Sequence, residues 1–98
     1  MKRVIKGRVW DTQKSGMVAA WANSFYPHDY RYCEENLYCT WRGNWFVHIL
    51  RAGPESDTYH FSEIYLVPLS EDEAFKWLQD HDFTSELEEH FGSRIEEA

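Results

Sequence analysis

Two cysteines in 98 residues are too few for a secreted disulfide scaffold, and Cys33-x5-Cys39 is not a zinc-knuckle spacing. No CxxC or HxxxH pair accompanies them. No apolar run approaches the roughly 18 residues that a bilayer span needs. The basic opening, Met1–Asp11, has no apolar stretch behind it, so no signal peptide is expected and the expected location is cytoplasmic. Gly7, Gly16, Gly43, Gly53 and Gly92 stand singly, which excludes a Walker or dinucleotide-binding glycine pattern. There is no Gly-x-Ser-x-Gly elbow and no serine with a histidine at a diagnostic offset. Cations are scarce as well, with ten Lys and Arg against 17 Asp and Glu.

What is present fits one globular domain over residues 1–98, because a second core would have too few residues to close. The net charge of −7 is unevenly placed. Residues 1–70 carry eight basic and seven acidic side chains, whereas 71–98 carry two basic and ten acidic. The chain therefore divides into a near-neutral β-rich body, 1–68, and an acidic helical section, 69–98. Such a section repels nucleic-acid phosphates and attracts basic protein surfaces, although net charge of this kind also serves solubility.

The body has the period and composition of strands. Val4–Asp11 and Met17–Trp21 flank a polar connection ending in Gly16, a hairpin signal. Asn23–Glu35 reads as a loop, yet it holds Phe25, Tyr26, Tyr30 and Tyr32, so it either covers the sheet or presents a binding face. Leu37–Trp41 and Trp45–Leu50, joined through Arg42-Gly43-Asn44, form the strongest hairpin signal and are placed near the sheet centre. Ala52–Thr58 has turn composition, Tyr59–Val67 reads as a fifth strand, and Pro68 is expected to end it.

The period then changes to that of a helix. Ser70 and Glu73 have the spacing of a capping box, and Ala74, Trp77, Leu78 and His81 fall on one face. Asp82-Phe83-Thr84 breaks this helix, and Asp82 or Thr84 is expected to cap a second one with a stripe of Leu87, Phe91 and Ile95 that ends near Gly92. The expected fold class is α+β: a five-stranded antiparallel sheet followed by two C-terminal helices packed on one face.

Catalytic and metal chemistry find little support in this pattern. His28, His48, His60, His81 and His90 are dispersed, and a Cys–His pair drawn from Cys33 or Cys39 with His28 or His48 rests on no spacing rule. Asp80-His81-Asp82 and Glu88-Glu89-His90 offer only the carboxylates common on acidic helices. No metal, cofactor or native disulfide is expected. The five Trp, six Tyr and six Phe are accounted for by core filling and by a protein contact. Direct nucleic-acid binding is disfavoured, since the aromatic loop carries Asp29, Glu34 and Glu35.

Three blocks carry a resemblance. They are Gly7-Arg8-Val9-Trp10-Asp11-Thr12; Glu35-Asn36-Leu37-Tyr38-Cys39-Thr40 with Gly43-Asn44-Trp45-Phe46; and Pro68-Leu69-Ser70-Glu71-Asp72-Glu73-Ala74 with Trp77-Leu78. In this order they resemble small acidic proteins of bacterial phages and other mobile elements. The chain departs from that pattern at Trp10, where Tyr is more usual, and at His48–Gly53, in place of a glycine-rich connection. The resemblance supplies no catalytic residues. It implies a setting in which small acidic domains inhibit host defence, anti-CRISPR proteins among them.

The expected function is accordingly a non-enzymatic inhibitor whose acidic surface occupies a basic nucleic-acid site on a host protein or ribonucleoprotein complex. Contact residues are expected at Asp80, Asp82, Glu86, Glu88, Glu89, Glu96 and Glu97, with Tyr26, Tyr30 and Tyr32 supplying rings. No membrane is involved, and the chain is expected to be a monomer or homodimer. The alternatives are a mobile-element accessory module with another protein partner, and a small hydrolase using a His/carboxylate or Cys/His site.

Overall fold

Lys6 and Gly7 interrupt the first β run. The computed structural model, which describes residues 1–53, 61 and 63–98, gives Lys6 a φ of 52° and Gly7 a φ of 78°. Two successive left-handed residues make the two-residue turn whose twist suits a hairpin. Strand β1 (Lys2–Ile5) therefore pairs with β2 (Arg8–Asp11), Ile5 opposite Arg8. The expected single strand over Val4–Asp11, paired with Met17–Trp21, is corrected: this segment is a ribbon of its own. Lys6 is not a strong turn former, so the local sequence conceals the reversal.

A single 3-10 turn over Thr12–Lys14, capped by the Asp11 side chain on the Gln13 N–H, leads into β3 (Ser15–Ala22). Then follow β4 (Cys33–Thr40), β5 (Trp45–Arg51) and β6 (Glu63–Leu69), an antiparallel meander in the order β3-β4-β5-β6. The fold class is α+β, but the sheet has four strands beside a two-stranded ribbon rather than five strands in one sheet. The β4–β5 hairpin holds the two inner places, as its alternation of large side chains on both faces required.

Three boundaries differ from expectation. Cys33–Asn36 belong to β4, because pairing with β3 and β5 on both sides overrides the weak strand preference of Glu34 and Glu35. Trp41 lies beyond β4, in the hairpin turn, and is 80% exposed. Pro68 does not end β6; it pairs with Phe46 and is tolerated because β6 is an edge strand, where a missing N–H can face away from the ladder. Of the expected turn over Ala52–Thr58, residues 54–58 lie outside the described residues. So do 59, 60 and 62 of the expected strand Tyr59–Val67.

Neighbouring residues of a strand point to opposite faces of the sheet. Leu37 and Trp45 therefore face one way and pack with Ala74, Trp77, Leu78 and Phe91 of the helices. Tyr38 and Phe46 face the other way and pack with Leu66 and with Trp10 of the ribbon. Tyr38 stacks on Phe46 at 5.2 Å, and Trp10 meets Phe46 edge-on at 5.6 Å. Helices and ribbon thus cover opposite faces.

Helix α1 (Glu71–Asp80) begins with the full capping box, Ser70 accepting from the Glu73 N–H and Glu73 accepting from the Ser70 N–H. Its buried residues are Ala74, Trp77 and Leu78. Its end explains the break before α2 (Thr84–Phe91). Asp82 takes a φ of 60°, its N–H bonds the Gln79 carbonyl, and the Phe83 N–H reaches back to the Leu78 carbonyl at 2.9 Å. This is a Schellman ending with Asp82 in the place glycine usually holds, and Phe83 stacks on Trp77 at 5.6 Å. Neither Asp82 nor Thr84 caps α2; Phe83 occupies the N-cap without a side-chain bond. Ile95 lies past α2 and a 3-10 turn over Gly92–Arg94, 41% exposed, so it does not extend the Leu87–Phe91 stripe.

Candidate interaction surfaces

The acidic section presents its carboxylates in three settings. Glu73 is held by the capping box, Asp72 accepts from Arg94 at 2.8 Å, and Asp80 pairs with Lys76 one turn before it. The two backbone and side-chain hydrogen bonds from Ser70 hold the Glu73 carboxyl below its ordinary range. The Lys76 ammonium offsets part of the Asp80 charge. Asp82, Glu86, Glu88, Glu89, Glu96 and Glu97 make no ion pair with Lys or Arg among the described residues. Asp82, Glu88 and Glu89 are exposed and Glu86 is half-buried, because Leu87 and Phe91 turn the opposite side of α2 to the core. Glu96 and Glu97 are exposed but lie beyond the last helical turn, so they are not part of a helix face.

The loop over residues 23–32 is fixed by Asp29 and Arg31. Arg31 donates through Nε and Nη2 to the two carboxylate oxygens of Asp29, at 3.0 and 2.8 Å. These bonds hold the Asp29 carboxyl down at about 2. The same guanidinium lies 4.1 Å above the Phe25 ring and 5.5 Å from the Tyr30 ring. Tyr26 and Tyr30 are left 73% and 61% exposed. Tyr32, expected as a third contact ring, is instead 7% exposed, and its hydroxyl donates to Glu34 at 2.6 Å, so it anchors the loop. Burial, then Glu34, pushes the Tyr32 hydroxyl up to about 12.

The residues considered for catalysis are dispersed. Cys33 and Cys39 stand at the two ends of β4, six positions or about 20 Å apart, too far for a disulfide between them. Burial raises both thiols, with Glu35 adding to the shift at Cys33 and Glu71 at Cys39, so neither is a thiolate at neutral pH. His28 stacks on Tyr26 in the loop, whereas His48 sits on β5. His81 packs between Trp21 and Trp77, and its Nδ1–H donates to the Trp77 carbonyl at 2.7 Å. Among the described residues, no three His, Cys, Asp or Glu side chains are grouped to hold a metal ion. No helix there is long and apolar enough to cross a membrane.

One feature of the surface has no counterpart in the linear sequence. The basic residues of the first eight positions do not form a tail: folding of the ribbon over the sheet carries Lys2 and Arg8 beside Lys14 and Arg42. These four come from separate stretches of chain, and only the β1–β2 reversal at Lys6-Gly7 could have signalled that they meet. Comparison with known family models, curated proteins and solved structures finds no match for this chain.

Proposed function

We propose that this chain is a non-enzymatic, anti-CRISPR-like inhibitor that binds a basic nucleic-acid site on a host protein or ribonucleoprotein complex. The reading is carried by the six carboxylates Asp82, Glu86, Glu88, Glu89, Glu96 and Glu97, which lack Lys or Arg partners among the described residues. Unpaired like charges on one section repel one another and are relieved by a basic partner. Asp80 contributes less, since Lys76 already occupies it. The competing use of the same charge is solubility.

The partner's basic groove would take these carboxylates where phosphates otherwise lie. Binding then weakens with salt above about 0.15 M, where the Debye length is ~8 Å. The test is an interference assay against several CRISPR types with the wild-type chain and with Glu86→Lys, Glu88→Lys and Glu89→Lys combined. Inhibition by the wild type and its loss in a folded triple variant support the proposal. A folded triple variant with full inhibition reduces the acidic surface to a solubility device. A second reading, an accessory module with another protein partner, is favoured by one observation: Tyr26 and Tyr30 stay exposed on a loop fixed by Asp29 and Arg31.

A further inference from the structure

On the sheet face away from the helices, the ribbon and the β4–β5 turn line an open cleft of about 870 Å³. Its lining includes Lys2, Arg8, Lys14 and Arg42, with Asp11 as the one acidic residue. All four cations are exposed and none forms an ion pair among the described residues. Elsewhere Arg31, Lys76 and Arg94 are each matched to a carboxylate, while Arg3 and Lys6 are exposed singly outside the cleft. An acidic protein with ten carboxylates in its last 28 residues has thus left four cations unmatched in one concavity. Mutual repulsion among them is relieved by an anion of several charges.

An exposed indole decides what else that anion carries. Trp41, at the cleft rim, is 80% exposed, and the Arg42 guanidinium lies 4.6 Å from its ring centroid. A large ring so exposed is costly to leave in water and offers a planar surface for stacking. Trp10 forms part of the wall at 6% exposure, and its buried Nε1–H has no acceptor among the described residues. The volume falls in the range of roughly 300–1,000 Å³ usual for small-molecule sites. We propose that this cleft binds a nucleotide, its phosphates held by Lys2, Arg8, Lys14 and Arg42 and its base stacked on Trp41. The site is separate from the acidic surface and does not rest on the inhibitor reading.

The experiment is a calorimetric titration of the full chain with adenosine diphosphate, inorganic pyrophosphate and adenosine, in parallel with a single-stranded oligonucleotide. Adenosine diphosphate is expected to bind saturably, and pyrophosphate and adenosine more weakly. Combined Arg8→Glu and Lys14→Glu, both on exposed side chains, should weaken diphosphate and pyrophosphate alike by at least about tenfold. Trp41→Ala should weaken only the diphosphate, by about tenfold, and leave pyrophosphate unchanged. Absence of saturable binding at millimolar adenosine diphosphate overturns the proposal. So does tight binding of the oligonucleotide alone, which would make the cleft a strand track. Self-association of the chain that the Arg8→Glu, Lys14→Glu variant abolishes, without nucleotide binding, overturns it in favour of a second copy's acidic section.

Discussion

The indole Nε1 of Trp77 donates to the Glu35 carboxylate at 2.8 Å, across 42 residues of chain. This bond joins α1 to β4 inside the contact between helices and sheet. Trp77 is 9% exposed, so removing its acceptor leaves a buried N–H unpaired. Glu35→Ala should therefore cost about 2 kcal/mol, within the range for a bond to a charged group. Glu35→Gln keeps an acceptor oxygen and should cost less than half as much. Urea unfolding of the two variants checks both the sign and the order.

That contact also marks the limit of what is legible in the residues. Ser70 and Glu73 lie three apart, and Ala74, Trp77 and Leu78 follow helical period, so α1 is specified within one short stretch. The β4–β5 hairpin is similarly local. Glu35 is different: its neighbours Glu34 and Asn36 disfavour a strand, and only pairing with Trp21 and Ile49 places it. Asp82 reads as a cap for α2, yet the Leu78 and Gln79 carbonyls claim the Phe83 and Asp82 N–H groups. The unpaired acids of α2 follow from sequence once Leu87 and Phe91 are turned inward. The basic cleft does not, since Lys2, Arg8, Lys14 and Arg42 meet only through the ribbon's docking.

Docking of that ribbon depends on its turn. Lys6 and Gly7 both hold positive φ, where a side chain with Cβ is strained by about 1–2 kcal/mol. Lys6→Asn should stabilise the chain, because Asn tolerates this conformation and Asn-Gly suits a two-residue hairpin. Gly7→Ala should destabilise it by about 1 kcal/mol; open space around a Cβ at that position leaves backbone conformation as the cause. Thermal melts of the two single variants should move in opposite directions.

A pH effect is expected from His48 on β5. Its Nε2 is buried and has no hydrogen-bond partner among the described residues. Burial first, and then the chain's amino terminus, lower its pKa from 6.5, while Glu34 opposes them. The folded chain thus prefers neutral His48, whereas the unfolded chain takes up a proton near 6.5. Stability from this site is present above that pH and is lost as pH falls through the lower folded value. Urea midpoints measured from about pH 7 to about pH 5 should fall, and His48→Gln should flatten the fall in that interval. The carboxylates Glu73 and Asp29 titrate lower, so their loss comes at more acidic pH.

The last prediction separates the loop's anchor from its exposed rings. Tyr32 is buried with its hydroxyl on Glu34, whereas Tyr26 and Tyr30 are exposed on the loop that carries the Asp29–Arg31 pair. Tyr32→Phe removes one hydrogen bond and leaves a half-buried carboxylate short of a donor, at a cost of about 1–2 kcal/mol. It should leave partner binding unchanged wherever the variant remains folded. Combined Tyr26→Ser and Tyr30→Ser should alter stability by no more than about 0.5 kcal/mol, since exposed positions carry little folding energy. If the acidic section makes the contact, this double variant binds the partner as the wild type does, and the Glu86, Glu88, Glu89 reversal does not. The reverse pattern in the same binding assay would move the contact to the loop, where Tyr26 and Tyr30 are exposed, and leave the carboxylates of α2 only to keep the chain dispersed.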